Sequence, residues 1–296
     1  MASIAALFLI PFGFGIPEAI AMTAVLVAVS VPMGLVATAI RKIIDVTGVN
    51  QTVSSVPHCF KKGTLIRARN NILYPIESIP VGTPLACGGL VTAVFKLDAS
   101  KETMYILGNT TVSGSHQVKH KGKWIYVRDH PNAVLLAYFP DPYIYCLNTS
   151  KKVINVGDYL FQDWDEVDKS SLFDYGCCHE EDIFKDLESG FHESTTIDVK
   201  KKGTTTIDKV EVGDLLESGE KVIGVVKILN NKPLYEYSTG FLGTKRFSVI
   251  QDLERNPKLS NQTADTLFHI LTDKGTFKIK EQKLKDYNWN LGFFNF

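Results

Sequence analysis

Two stretches of this 296-residue chain follow one template. Displaced by 131 positions, Phe60, Thr64, Ile66, Ile76, Val81, Gly82, Leu85, Gly88, Val91, Val94 and Lys96 fall on identical residues, from Phe191 to Lys227. That is eleven identities across the 38 ungapped positions that begin at Cys59. The far ends match at a displacement of 123: Thr149 with Thr272, Lys151 with Lys274, Asp163 with Asp286, and Trp164 with Tyr287. A repeat of this kind means that one structural plan is used twice, so residues 59–165 and 190–296 are expected to share a fold. The main chemical difference is that Cys59 falls opposite Gly190, and no His occurs between His192 and His269.

The plan is a β plan. After Cys59, short alternating or β-branched runs are separated by Gly, Asn and Pro. Strands are expected at Thr64–Ala68, Ile76–Ile79, Leu90–Leu97, Thr103–Leu107, Trp124–Val127, Val134–Tyr138, Ile144–Leu147 and Val153–Val156. Residues 166–189 are acidic and tolerate helix, as in Glu180 to Leu187. They are expected to form a linker, helical in part, between the two units.

Residues 1–58 have a different composition. Ala19–Ile40 is uncharged and 22 residues long. At about 1.5 Å per residue it matches a hydrocarbon core of about 30 Å. Arg41 and Lys42 close it as a basic interfacial anchor would. Pro32 and Gly34 inside the run are better tolerated in a membrane helix than in a soluble one. The preceding apolar run is broken by Pro11, Gly13, Gly15 and Pro17. It reads as a re-entrant piece, or as half of a helical hairpin turning at Glu18. A cleaved signal peptide fits poorly, because no basic residue precedes the apolar stretch. A soluble buried hairpin is the alternative. With the basic pair on the carboxyl side, residues 43–296 are expected on the cytosolic face of a membrane. Residues 43–57 read as a polar linker.

Lys plus Arg equals Asp plus Glu, 32 each, so charge gives no reason to expect nucleic acid as a partner. With no Gly-rich phosphate loop either, no cofactor is expected. The Cys count of five is odd and contains no CxxC pair, which argues for a reducing compartment rather than a disulfide framework. Cys177-Cys178-His179 is a poor chelate without a second ligand pair, so no metal is expected.

Three motifs stand in order in the first unit: Pro57-His58-Cys59-Phe60-Lys61-Lys62-Gly63-Thr64-Leu65-Ile66; Val112-Ser113-Gly114-Ser115-His116; and Tyr145-Cys146-Leu147-Asn148 through Gly157-Asp158-Tyr159-Leu160-Phe161. Together they resemble the opening, middle and closing blocks of Hint domains, the hedgehog/intein self-processing fold. With a second related unit behind it, the arrangement looks most like Hint-containing membrane proteins of large DNA viruses. The resemblance implies a mainly β fold of tandem Hint-like units behind an N-terminal transmembrane helix or helical hairpin. It implies Cys59 as nucleophile, His116 as the group that protonates the departing amine, Ser113 as a steadying hydroxyl, and His58–Cys59 as the scissile bond.

The chemistry suits these residue types. A thiol on the residue after a peptide bond can attack the preceding carbonyl within its own chain, which turns the amide into a thioester with a large proximity advantage. His58, His120 and His130 are competing imidazoles nearby, and His130-Pro131 reads as a turn. The last strand ends in Gln162-Asp163-Trp164, where a splicing intein has His-Asn followed by a nucleophile. Full splicing is therefore not expected. Cleavage resolved by water, an amine, a thiol or a lipid alcohol is. The alternative is a non-catalytic, membrane-anchored structural protein, such as a virion component that meets other structural proteins.

Overall fold

The computed structural model describes residues 58–165, 189–244 and 257–287. The expected membrane segment, the linker up to Pro57, the acidic connection 166–188, Cys177-Cys178-His179 and the last nine positions lie outside these residues. The described part is mainly β. It carries the 3₁₀ turns Val127–Asp129 and Ile207–Lys209, and among the described residues no helix is long and apolar enough to cross a membrane.

An eight-stranded antiparallel sheet runs through both repeats. Its order is Thr266–Thr272, Val222–Leu229, Val91–Asp98, Tyr143–Thr149, Phe60–Lys61, Thr110–Ser113, Met104–Leu107 and Val134–Leu135. Strand Val91–Asp98 is rich in β-branched and aromatic residues and buried along most of its length, as a strand paired on both sides should be. It meets its own repeat equivalent across the middle of the sheet. Phe95 lies opposite Val226, Val94 opposite Lys227, and Lys96 opposite Val225. Since 95 and 226 differ by 131, a local two-fold axis passes between Phe95 and Val226. The pairing is isologous, like the interface of a symmetric dimer.

Local geometry repeats as well. Ile76 N–H donates to Thr64 O at 2.8 Å, and Ile207 N–H to Thr195 O at 2.8 Å. Gly82 N–H donates to Val91 O at 2.7 Å, and Gly213 N–H to Val222 O at 2.8 Å. Both glycines have positive φ, +82° and +99°, which accounts for the identity at this turn. A bulge interrupts the pairing next to Thr149 in one repeat and next to Val222 in the other, so each skips the equivalent residue, Thr92 or Ile223.

The first core holds Phe60, Phe95, Leu147, Phe161 and Trp164, and takes in Val226, Ile228, Leu267, Leu271 and Tyr287 from the second repeat. A smaller core surrounds Phe191, Phe241 and Phe277. Phe95 stacks on Trp164 at 4.8 Å and meets Tyr287 edge-on at 5.2 Å. The two repeat-equivalent aromatics thus contact one ring at the axis.

Two expected strands differ. Ile76–Ile79 is a turn: Pro75 and Pro80 flank it, Ser78 N–H bonds Pro75 O, and Ile76 and Ile79 are buried beneath it. Their apolar character reflects burial and not extension. Val134–Tyr138 keeps only Val134–Leu135 as an exposed edge strand, and Leu136 N–H instead bonds Met104 O.

Candidate active site

Cys59 enters the fold immediately before strand Phe60–Lys61 and is fully buried. Ser113 ends strand Thr110–Ser113, which pairs with Phe60 through Val112. The two residues exchange hydrogen bonds. Cys59 N–H donates to Ser113 Oγ at 2.9 Å, and Ser113 N–H donates to Cys59 O at 2.8 Å. The amide nitrogen of the His58–Cys59 bond is therefore held by a hydroxyl. A tight turn then brings back His116, whose N–H donates to Ser113 O at 3.2 Å. Gly114 is required in this turn, because a Cβ there would lie 2.4 Å from the Tyr105 ring.

His116 is fully buried, and its ring packs 4.7 Å from Phe60 and 5.4 Å from Phe161. Its Nε2 is 2.9 Å from the Gln162 carbonyl oxygen. A carbonyl only accepts, so Nε2 carries the proton and Nδ1 presents a lone pair. That Nδ1 is a buried acceptor with no hydrogen-bond partner among the described residues. Burial, and then the proximity of His58, pull the His116 pKa down to about 3, against the Gln162 bond.

His58 lies on the other side of the bond. Its Nδ1–H donates to Ser115 O at 3.0 Å. Its ring is 6.1 Å from that of His116 and meets Trp164 edge-on at 6.4 Å. Burial draws its pKa down to about 4, with Arg128 adding to the effect and the Ser115 bond opposing it. Both imidazoles are neutral at pH 7. Glu102 bonds Ser115 through its side chain, and burial raises its carboxyl to about 7 against that bond.

The structure thus brings together all four residues singled out from sequence: His58, Cys59, Ser113 and His116. Of the competing imidazoles, His58 is in the site and the other two pack elsewhere. His120 and His130 stand edge-on to each other at 4.5 Å, and His130 meets Tyr159 at 5.7 Å. Gln162, Ser115 and Trp164 were not legible as site residues, because two act through backbone carbonyls and the third through its ring. Asp163 anchors backbone: it accepts Thr149 N–H at 2.9 Å, as Asp286 accepts Thr272 N–H at 2.9 Å.

The second repeat preserves the frame. Thr244 N–H donates to Gly190 O at 3.2 Å, and Gly190 N–H donates to Thr244 Oγ1 at 3.3 Å. Thr244 is the Ser113 equivalent, and extending the 131 displacement to Ser113 would have found it. A Cβ on Gly190 would lie 2.8 Å from Leu267 Cβ and 3.2 Å from Phe268 O. His269 stands where Cys146 does in the 123 register. It is buried, its pKa is drawn to about 4 by burial, and its Nδ1 accepts Ile270 N–H at 2.9 Å. Among the described residues, no group of three or more His, Cys, Asp or Glu is placed to hold a metal ion. Compared with protein-family models and with curated proteins, the chain matches none.

Proposed function

We propose that residues 59–165 form a Hint-type self-processing module that converts the His58–Cys59 peptide into a thioester. The observation that carries this reading is the reciprocal hydrogen-bond pair between Cys59 and Ser113 beside the bare Nδ1 of His116. In the reaction, Cys59 Sγ attacks the carbonyl carbon of His58 and its proton passes to His116 Nδ1. The C–N bond breaks, and that proton goes to the departing Cys59 nitrogen. Because His116 is neutral at the start, it acts first as base and then as acid. Ser113 Oγ orients the nitrogen that leaves. Water, an amine, a thiol or a lipid alcohol then opens the thioester. The module belongs to a tandem Hint-like chain tethered by Ala19–Ile40 with residues 43–296 on the cytosolic side, and cleavage separates the β region from its anchor. The test is incubation of the purified chain with hydroxylamine or a small thiol, followed by mass analysis for a fragment that begins at Cys59.

One observation favours a second reading. Cys59 is wholly buried, and its repeat equivalent is Gly190 in a site where a side chain would clash. A chain that has closed one of two such sites could use both as scaffold, as a membrane-anchored structural component, for instance of a virion, that contacts other structural proteins. In that case the hydroxylamine experiment leaves the chain intact.

A further inference from the structure

A charged cluster closes the first repeat, and the processing chemistry does not use it. The Lys152 ammonium contacts the Asp165 carboxylate and lies 3.7 Å from Asp163 Oδ2. Both carboxylates are fully buried, while the Lys152 side chain is 11% exposed. Two buried carboxylates share this ammonium, and burial makes such an arrangement costly. Burial, helped by the Asp165 charge and opposed by Lys152, pushes Asp163 up to about 7, so it carries a proton for much of the time near neutrality. On the far side, buried Asn148 donates its amide N–H to Asp165 Oδ1 at 2.9 Å, which polarises the carboxyl carbon. Asn148 Oδ1 is itself a buried acceptor with no partner among the described residues. The buried Tyr287 hydroxyl accepts a hydrogen bond from the same Asn148 amide at 3.1 Å.

Comparison of the repeats separates what the fold needs from what this cluster adds. Asp286 keeps the backbone bond made by Asp163, so that carboxylate belongs to the shared plan. In the 123 register, Gly275 stands in place of Lys152 and Asn288 in place of Asp165. An amine and its contacting carboxylate have been placed together in one repeat, beside a carboxyl able to move a proton. These are the parts needed for amide formation.

We propose that Lys152 and Asp165 condense into an intramolecular isopeptide bond, with Asp163 as the proton carrier and Asn148 polarising the carboxyl carbon. The Lys152 ammonium first cedes a proton to the Asp165 carboxylate. The neutral Nζ then attacks Asp165 Cγ, and a C–N bond forms. Asp163 protonates the departing hydroxyl, the C–O bond breaks and water leaves. The remaining surplus proton on nitrogen returns to Asp163, which ends as it began. Two buried charges disappear in the step. The bond fixes the residue after Trp164 to the start of the hairpin Val153–Val156 and Tyr159–Gln162.

The experiment is tryptic digestion and mass spectrometry of the purified full-length chain. The crosslink lies C-terminal to Cys59, so it is readable whether or not the His58–Cys59 bond is cut. No Lys or Arg lies between Lys152 and Asp165, so the expected result is a single looped peptide from Lys152 to Lys169, uncleaved after Lys152 and lighter by one water than its linear sequence. Lys152→Arg keeps the charge but should yield only linear peptides. Asp163→Asn should slow formation of the looped peptide by about 10²–10⁴-fold, the usual loss for a general acid–base group. Linear peptides carrying unmodified Lys152 and Asp165 from the folded wild-type chain overturn the proposal. So does an undiminished loss of water from the peptide that carries Asp165 in Lys152→Arg. Should either variant fail to fold, the wild-type peptide map alone decides.

Discussion

The two repeats differ far less in backbone than in what they place at one point. In both, the residue that opens the unit exchanges two hydrogen bonds with a hydroxyl residue on the neighbouring strand: Cys59 with Ser113, Gly190 with Thr244. In the first, the opening residue carries a thiol and His116 returns beside it. In the second, Leu267 and Ile228 fill the space a side chain would need. The hydroxyl pairing is therefore a property of the fold, needed to terminate two strands. The chemistry proposed for the first repeat depends on the thiol and imidazole added to that frame. The same holds at the closing end, where Asp163 and Asp286 do the same backbone work and Lys152 and Asp165 are additions.

Breaking this difference should have graded effects. Cys59→Ala should abolish thiol- or hydroxylamine-induced cleavage at His58–Cys59, as followed by gel and mass, because the thioester requires that sulfur. His116→Ala should slow cleavage by about 10²–10⁴-fold, the usual loss for a general acid–base group, measured as the single-turnover rate. At the two-fold axis, Phe95→Ala should cost about 3–5 kcal/mol in chemical denaturation, since Phe95 is fully buried between Trp164 and Tyr287. One cooperative transition is expected there, because the first core includes residues of both repeats. Gly190→Cys should restore no cleavage in the second repeat, and overpacking against Leu267 should destabilise by about 1–3 kcal/mol.

A pH effect sharpens the comparison further. His58 and His116 are held near pKa values of about 4 and about 3, below the unfolded value of 6.5. The unfolded chain then binds more protons, so their contribution is complete above about pH 6.5 and is lost as pH falls through the folded values. Asp163 and Glu102, both raised to about 7, act oppositely, and their contribution is lost as pH rises through 7. His116→Gln should flatten the acid side of a stability–pH curve relative to wild type. The smallest effect belongs to Cys146→Ala, which should leave cleavage unchanged, because the buried Cys146 thiol contacts the Leu147 carbonyl and takes no part in the thioester.

Much of this was legible in the sequence. Alternation and turn residues gave the β character, and strand Val153–Val156 falls on its expected bounds. The 131 displacement reappears as paired hydrogen bonds, from Ile76 and Ile207 to Gly82 and Gly213. Cys59 and His116 could be named because their motifs resemble Hint blocks in order and spacing; among five Cys and seven His, the residues alone would not have singled them out. What escaped was carried by backbone or by burial. Gln162 fixes the His116 tautomer through a carbonyl, which any residue could supply. Ile76–Ile79 has a strand's composition but sits in a turn held by flanking prolines. The pairing of Val91–Asp98 with Val222–Leu229 joins residues far apart in the chain, and a repeat states that two units are alike without stating that they meet.

The most direct test of the central claim is mass spectrometry of the purified full-length chain after incubation with hydroxylamine at neutral pH, with Cys59→Ala alongside. The account predicts a 58-residue N-terminal fragment ending at His58 as the hydroxamate, and a fragment beginning at Cys59. Both should be absent in the variant. An intact wild-type chain, or equal cleavage in Cys59→Ala, would contradict it.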